Sequence, residues 1–317
     1  MEYLEVLSKV VPVIVLLSLG YVLKIKQFIS SPTVGEMKKL VVNVSLPALL
    51  FLAFLDVHFK AKYLVVIVVV FLVNILMLLL GGRFKRLFRV NDPYFTLMFT
   101  GFEVGMLGIP MFGAVFGVEN IKYMGILDIG QELYVWFVLL GIIFSISAGS
   151  RDLKKLAASF ISSPIIIAIF LGIALNTSGI QAVLKDNKLY VSVINTVELV
   201  SQLTIPLILL IIGYEINLDF HRLRLPVKII GLRLVVLLPL ALFIGKALFL
   251  NRLNLPGIYY MALLSMFILP PPFVIPLFAR DERHDHSYIY NTLSVGTVVF
   301  VLLYVILIMY FAAGEIK

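Results

Sequence analysis

The chain contains no cysteine, which excludes disulfides, thiolate metal sites and cysteine nucleophiles. Charge is also scarce: 14% of its 317 residues are Asp, Glu, Lys or Arg, against 61% hydrophobic. With a mean hydropathy of +1.07, it has too little polar surface for a soluble domain of this length. Histidine is rare, and its densest cluster, "RDERHDHSY" (280–288) with His284, Asp285 and His286, reads as a solvated loop rather than a metal site. No G-x-S-x-G, P-loop or H-E-x-x-H signature occurs, so neither an enzyme nor ATP-driven transport is expected. No cofactor is expected either.

What is present is a series of long apolar runs, such as "YLVVIVVVFLVNILMLLL" at 63–80. Runs of about 18 or more residues mean membrane helices, whereas barrel strands are short and alternate in polarity. The reading is an all-α polytopic membrane protein with ten spans. They fall near 4–23, 40–56, 63–80, 94–117, 123–146, 163–181, 190–214, 229–250, 257–279 and 289–312. The net charge of +8 does not point to nucleic acid, because the basic residues sit in short loops between spans. Loops after odd-numbered spans carry sixteen Lys and Arg, and the opposite side carries seven. The richer side is expected to be cytoplasmic, with both termini extracytoplasmic in a cell membrane. No signal peptide is evident: Glu2 and Glu5 lead, and Lys24 and Lys26 follow the first span.

The two halves resemble each other. "PVIVLLSLGYVL" (12–23) aligns with "PIIIAIFLGIAL" (164–175), matching Gly20 with Gly172. "NVSLPALL" (43–50) aligns with "QLTIPLIL" (202–209), matching Asn43 with Gln202 and Pro47 with Pro206. "GIPMFGAVFG" (108–117) aligns with "PPPFVIPLFA" (270–279). Residues 1–150 and 151–317 would then each hold five spans, and an odd number forces the second repeat to be inverted.

Spans four and nine are expected to break at matched positions, Gly108-Ile109-Pro110 and Pro270-Pro271-Pro272. Proline inside a helix costs roughly 3 kcal/mol and frees a carbonyl. In lipid, groups freed this way must find partners. Two such breaks predict discontinuous helices that cross near the midplane. Their second halves would begin with unpaired N–H groups suited to an anion.

These residues resemble the auxin efflux carrier family, which includes the plant PIN carriers and many bacterial permeases. The resemblance is carried by "NVSLPALLF" (43–51), "GMLGIPMFGAVFG" (105–117), "TIPLILLIIG" (204–213) and "PPPFVIPLFA" (270–279). It implies a fold like the bile-acid symporters, with spans one, two, six and seven as scaffold and spans three to five and eight to ten as a mobile unit. It also implies a secondary transporter of small organic anions such as auxin, malate or malonate, working by alternating access. H⁺ and Na⁺ both stay open as coupling ions, a homodimer stays open as the assembly, and a non-transporting ligand sensor is the reading from another class. The substrate site would draw on Glu103, Gly105, Gly108, Ile109, Pro110 and Met111 from span four and Pro270, Pro271, Pro272 and Phe273 from span nine. Asn43 and Gln202 would complete it.

One departure stands out, because the family's fourth-span Asn is matched here by Glu103. Either Glu103 carries a coupling proton, or it binds a cation, or the substrate is not a simple anion. Ionisable groups within spans are costly and favour cavities or partners. Glu103, Asp128, Glu132 and Glu198 are therefore the candidates for proton or ion coupling. Asp128 and Glu132 share one face of span five. Asp128 is nonetheless expected to be hydrated near the outer interface. Asn195, Glu198 and Gln202 share a face of span seven, as path lining or as interhelical glue. Arg233, about one turn into span eight, could counter a substrate carboxylate, but it is expected to snorkel to the cytoplasmic interface.

Overall fold

A computed structural model describes the chain except for residues 1, 56, 58–59, 149–157, 159, 185, 218–221, 279–286 and 313–317. The described residues form helices and no strand. Seven helical segments are long and apolar enough to cross a membrane: Ser31–Leu55, Ala61–Leu87, Pro93–Phe116, Val118–Ile146, Lys188–Glu215, Arg224–Leu250 and Ser287–Ile308. Three shorter apolar helices, Val11–Ile25, Pro164–Thr177 and Gly257–Phe267, lie at the remaining expected positions. In lipid only such internally hydrogen-bonded elements satisfy the backbone, so this is a multi-pass helical membrane protein.

The helices associate in pairs. Glu2–Ile25 lies along Thr204–Glu215, and Leu46–Leu55 lies along Pro164–Thr177. Ala61–Leu87 packs on Ile121–Tyr134, and Arg224–Phe243 packs on Ser287–Ala312. Hydrophobicity gives little drive between helices already in lipid, so close backbone approach through small residues matters more. Glycine provides it at the first two pairs. A Cβ on Gly20 would lie 2.1 Å from the Leu210 carbonyl oxygen, and one on Gly172 would lie 2.7 Å from that of Phe51.

Span four differs from the expectation. Its unwound stretch is Thr100–Glu103, not Gly108-Ile109-Pro110, and the chain is helical from Val104 through Phe116. The reason is a π-helical turn, Val104–Gly108, placed just ahead of Pro110. The wider turn shifts the hydrogen-bond register, so that the proline's missing N–H and its ring are absorbed without unwinding. The same device, Val41–Ser45, precedes Pro47 in the second span. Span nine breaks where expected: the helix ends at Phe267 and resumes at Val274, with the three prolines between.

Candidate functional site

The unwound stretches of spans four and nine lie against each other. Gly101 has φ +73, and a Cβ there would fall 2.4 Å from the Pro272 ring, so glycine is required both for the turn and for the approach. The Glu103 N–H donates to the Pro270 carbonyl at 3.0 Å. Phe102 stacks on Phe267 with centroids 5.3 Å apart and planes 3° from parallel.

Every helix start leaves N–H groups without partners, and every end leaves carbonyls. Here two charged side chains divide that work. The Glu103 carboxylate accepts from the Phe273 N–H (2.5 Å) with one oxygen and from the Met106 N–H (3.2 Å) with the other. It thus joins the starts of both second halves. Arg233 serves the ends of the first halves, donating to the carbonyls of Met98 (3.2 Å), Gly101 (2.7 Å) and Leu269 (3.4 Å). Its guanidinium lies 5.4 Å from the centroid of the Phe102 ring. The expectation of a snorkelling Arg233 is overturned: the residue is 2% exposed. A planar fork with five donors fits several carbonyls that face inward from two chain segments, and those carbonyls lie at the crossing, not at the interface.

Two polar residues that the sequence reading passed over hold the unwound stretch from its other side. Asn74, within the helix Ala61–Leu87, accepts the Gly101 N–H at 2.8 Å through its side-chain oxygen, while its backbone carbonyl accepts the Thr100 hydroxyl at 2.8 Å. Gln131 donates to the Phe102 carbonyl at 3.0 Å. The signal for Asn74 was available, since it is the one polar side chain between Leu64 and Leu80.

The remaining candidates divide clearly. Pro270, Pro271, Pro272 and Phe273 form the crossing itself. Gly108 touches it through Leu269, whose side chain would lie 2.8 Å from a Cβ at 108. Gly105 lies closer to Leu46. Ile109, Pro110 and Met111 are buried in the packing of the following helix, where the Met111 carbonyl accepts from the Tyr304 hydroxyl at 3.2 Å. Asp128 is 2% exposed and carries an oxygen, Oδ1, that has no hydrogen-bond partner among the described residues. It is not a hydrated interfacial group, because its helix packs against both Ala61–Leu87 and Leu46–Leu55. Glu132 is partly buried and accepts from the Trp136 indole at 2.8 Å. Asn43, Asn195, Glu198 and Gln202 are exposed, and the Asn43 amide donates to the Lys39 carbonyl one turn back. His284, Asp285 and His286 lie outside the described residues.

A cavity of about 600 Å³ leads to the crossing from the side of the basic-rich loops. Its wall includes Lys24, Lys38, Glu215, Asn217, Ser294 and Phe273, whose N–H holds Glu103. Lys38 pairs with Glu215 at 2.6 Å, and Lys24 donates to the Ile216 carbonyl at 2.8 Å. The mouth is therefore polar and cationic, and its far end is the crossing of two broken helices.

A helical membrane protein with a polar vestibule ending at crossed, unwound segments is built as a transporter. Comparison with known families agrees: the model described as membrane transport protein matches residues 5–309. The chain belongs to that family, which is the auxin efflux carrier family of the sequence resemblance. An uncharacterized transporter of Methanothermobacter thermautotrophicus is 27% identical over 255 residues, covering 77% of this chain and 80% of that one.

Proposed function

We propose that the protein is a secondary transporter of small organic anions in which Glu103 couples each anion to a proton. One observation carries the reading. The Glu103 carboxylate occupies the Phe273 and Met106 N–H groups, the donors that a substrate carboxylate at the crossing would use. When ionised, Glu103 is an internal anion in the substrate's place. A second carboxylate about 4 Å away would be opposed by ~4 kcal/mol at an effective dielectric of 20. Protonating Glu103 removes that repulsion and weakens its hold on both donors, since a neutral carboxyl accepts more weakly than a carboxylate. Proton and anion then load together, each compensating the charge of the other.

The scaffold and mobile units implied by the family, and the two inverted five-span repeats, fit this reading. The contact of Gly20 with the Leu210 carbonyl has its counterpart in that of Gly172 with Phe51. The partners are the residues that the repeat alignment equates, which supports the inversion. The side rich in Lys and Arg is taken as cytoplasmic, so the vestibule opens inward and both termini face outward. Alternating access would follow from the mobile unit, with its crossing, moving against the scaffold. Na⁺ coupling is the second reading, and the buried Oδ1 of Asp128, unpartnered among the described residues, favours it.

The test is flux of labelled malate, malonate and indole-3-acetate in proteoliposomes, with pH and Na⁺ gradients imposed separately. The wild type should accumulate its substrate along a proton gradient and bind it more tightly as pH falls between about 8 and 5. Glu103→Gln should bind without that pH dependence and move no protons. A Gln variant that still carries protons in step with its anion would remove Glu103 from the coupling role. Accumulation driven by Na⁺ alone would select the second reading.

A further inference from the structure

Span three ends in a basic turn that continues its lipid-facing line. Along the 27-residue helix Ala61–Leu87, Leu64, Val68, Leu72, Leu76 and Leu79 are exposed at intervals of four or three. Arg83 and Arg86, also exposed, take the next two positions at the same spacing. That spacing keeps residues on one helix face. At ~1.5 Å per residue, Arg83 stands about 28 Å and Arg86 about 33 Å beyond Leu64. The hydrocarbon core of a bilayer measures about 30 Å. With Leu64 at one boundary, both guanidiniums therefore reach the headgroups at the other.

Two adjacent glycines in this turn differ. Gly81 is required by packing, since a Cβ there would fall 2.8 Å from the Thr96 carbonyl oxygen. Among the described residues, a Cβ on Gly82 would meet nothing within 4 Å beyond its own turn. Gly82 has no positive φ either, and glycine weakens a helix interior. It lies on the exposed line with Arg83 beside it and Arg86 one turn on, and so leaves a notch between two guanidiniums. The Arg86 Nε–H donates to the Gly82 carbonyl at 3.4 Å, which keeps that side chain over the notch. Residues 81–93 hold Arg83, Lys85, Arg86 and Arg89 against one carboxylate, Asp92, which accepts the Tyr94 N–H at 2.7 Å. The helix dipole and the loop-charge rule favour cations at such an end, but neither chooses a face. Arginine pairs bidentately with phosphate, and the notch lies at the depth where lipid phosphates lie.

We infer that Arg83, Gly82 and Arg86 form a binding site for the phosphate of an anionic phospholipid, in the leaflet on the side of the Lys- and Arg-rich loops. That side is taken as cytoplasmic, and the cytoplasmic leaflet carries anionic lipid. The acyl chains lie along the exposed line from Leu79 toward Leu72. The other face of the same helix end carries the crossing: Phe84 meets Phe99 at 5.2 Å and Phe88 meets Phe95 at 6.4 Å between ring centroids. Phe95 and Phe99 belong to the first half of span four. A bound lipid thus steadies the helix end on which that half rests. The site does not depend on the coupling role of Glu103.

The experiment uses the full chain in detergent, with dioleoylphosphatidylglycerol as probe, dioleoylphosphatidylcholine as the neutral lipid and glycerol 3-phosphate as the free anion. Native mass spectrometry counts retained lipid, and phenylglyoxal labelling footprints the arginines. Phosphatidylglycerol should be retained at least about fivefold better than phosphatidylcholine. It should lower labelling of Arg83 and Arg86 at least about threefold and leave Arg252, on the opposite side, unchanged. R83Q/R86Q should weaken its retention about tenfold, and G82L, which fills the notch and keeps both charges, at least about threefold. K26Q/K39Q removes two charges from the same side and should retain the lipid like the wild type. Equal retention by R83Q/R86Q and the wild type would overturn the site, as would an equal loss in K26Q/K39Q, which would reduce the effect to unspecific charge. Labelling unchanged by phosphatidylglycerol would overturn it even if R83Q/R86Q fails to fold. Equal protection by glycerol 3-phosphate would also overturn it, by reassigning the arginines to a free anion. With the lipid bound, amide exchange at Phe95 and Phe99 should slow about threefold, and unchanged exchange would overturn the link to the crossing.

Discussion

Replacing Arg233 by Met tests whether the crossing is held by one buried cation. The substitution keeps a long unbranched chain and removes every donor. It leaves the carbonyls of Met98, Gly101 and Leu269 without the bonds at 3.2, 2.7 and 3.4 Å. An orphaned buried acceptor costs about 1–3 kcal/mol, and the 3.4 Å contact is weak, so two full losses dominate, about 2–6 kcal/mol by the same scale. Removing the guanidinium also removes its own desolvation penalty, which offsets part of the loss. The expected net destabilisation is about 2–4 kcal/mol. For a chain of this size that lowers the midpoint by roughly 5 °C or more. Thermal unfolding of the detergent-solubilised protein, followed through the single tryptophan, Trp136, reads the shift. Arg233→Lys keeps the charge but cannot span both segments with a point-like ammonium, and should recover no more than about half. A Met variant melting within 1 °C of the wild type, or a Lys variant equal to it, would refute the argument that the fork ties the crossing together.

Further expectations follow from the same geometry. Gly101→Ala should destabilise by roughly 1–3 kcal/mol for the strained φ alone, with more from the Pro272 ring, and should reduce flux; an unaltered melting curve would contradict the close approach. Asn74→Leu should raise amide exchange at Thr100 and Gly101 by at least about tenfold in hydrogen-exchange mass spectrometry, because the Gly101 N–H loses its acceptor; unchanged protection there would remove Asn74 from its holding role. Pro110→Ala should leave flux within about twofold, since the π-turn rather than the proline shapes that segment, and an abolished flux would return the break to Pro110. Tags placed at Met1 and Lys317 should both be reachable from outside intact cells; protection of both would reverse the orientation, and opposite accessibility would contradict ten spans.

The sequence by itself determined the membrane class, the places of the apolar segments and the interruption of span nine at its three prolines. These follow from local quantities: run length and the missing N–H of proline. It also singled out Glu103, because a carboxylate inside an apolar run must have a reason to be there. What that reason is lay beyond it. The partner of Glu103 is the Phe273 N–H, 170 residues away, and Arg233 reaches Gly101 across 132. A lone polar residue in an apolar run announces that a partner exists, but only the packing of other helices chooses it. For that reason nothing in the sequence alone assigns Asn74 and Gln131 to the crossing or takes Arg233 away from the interface. Helical periodicity fixes which residues share a face, and the arrangement of neighbouring helices decides whether that face is buried. The shift of the span-four break from Pro110 to Thr100–Glu103 has the same origin: a π-turn can satisfy a proline locally, whereas an unwound stretch survives in a membrane only where Arg233, Asn74, Gln131 and the facing prolines supply what water cannot.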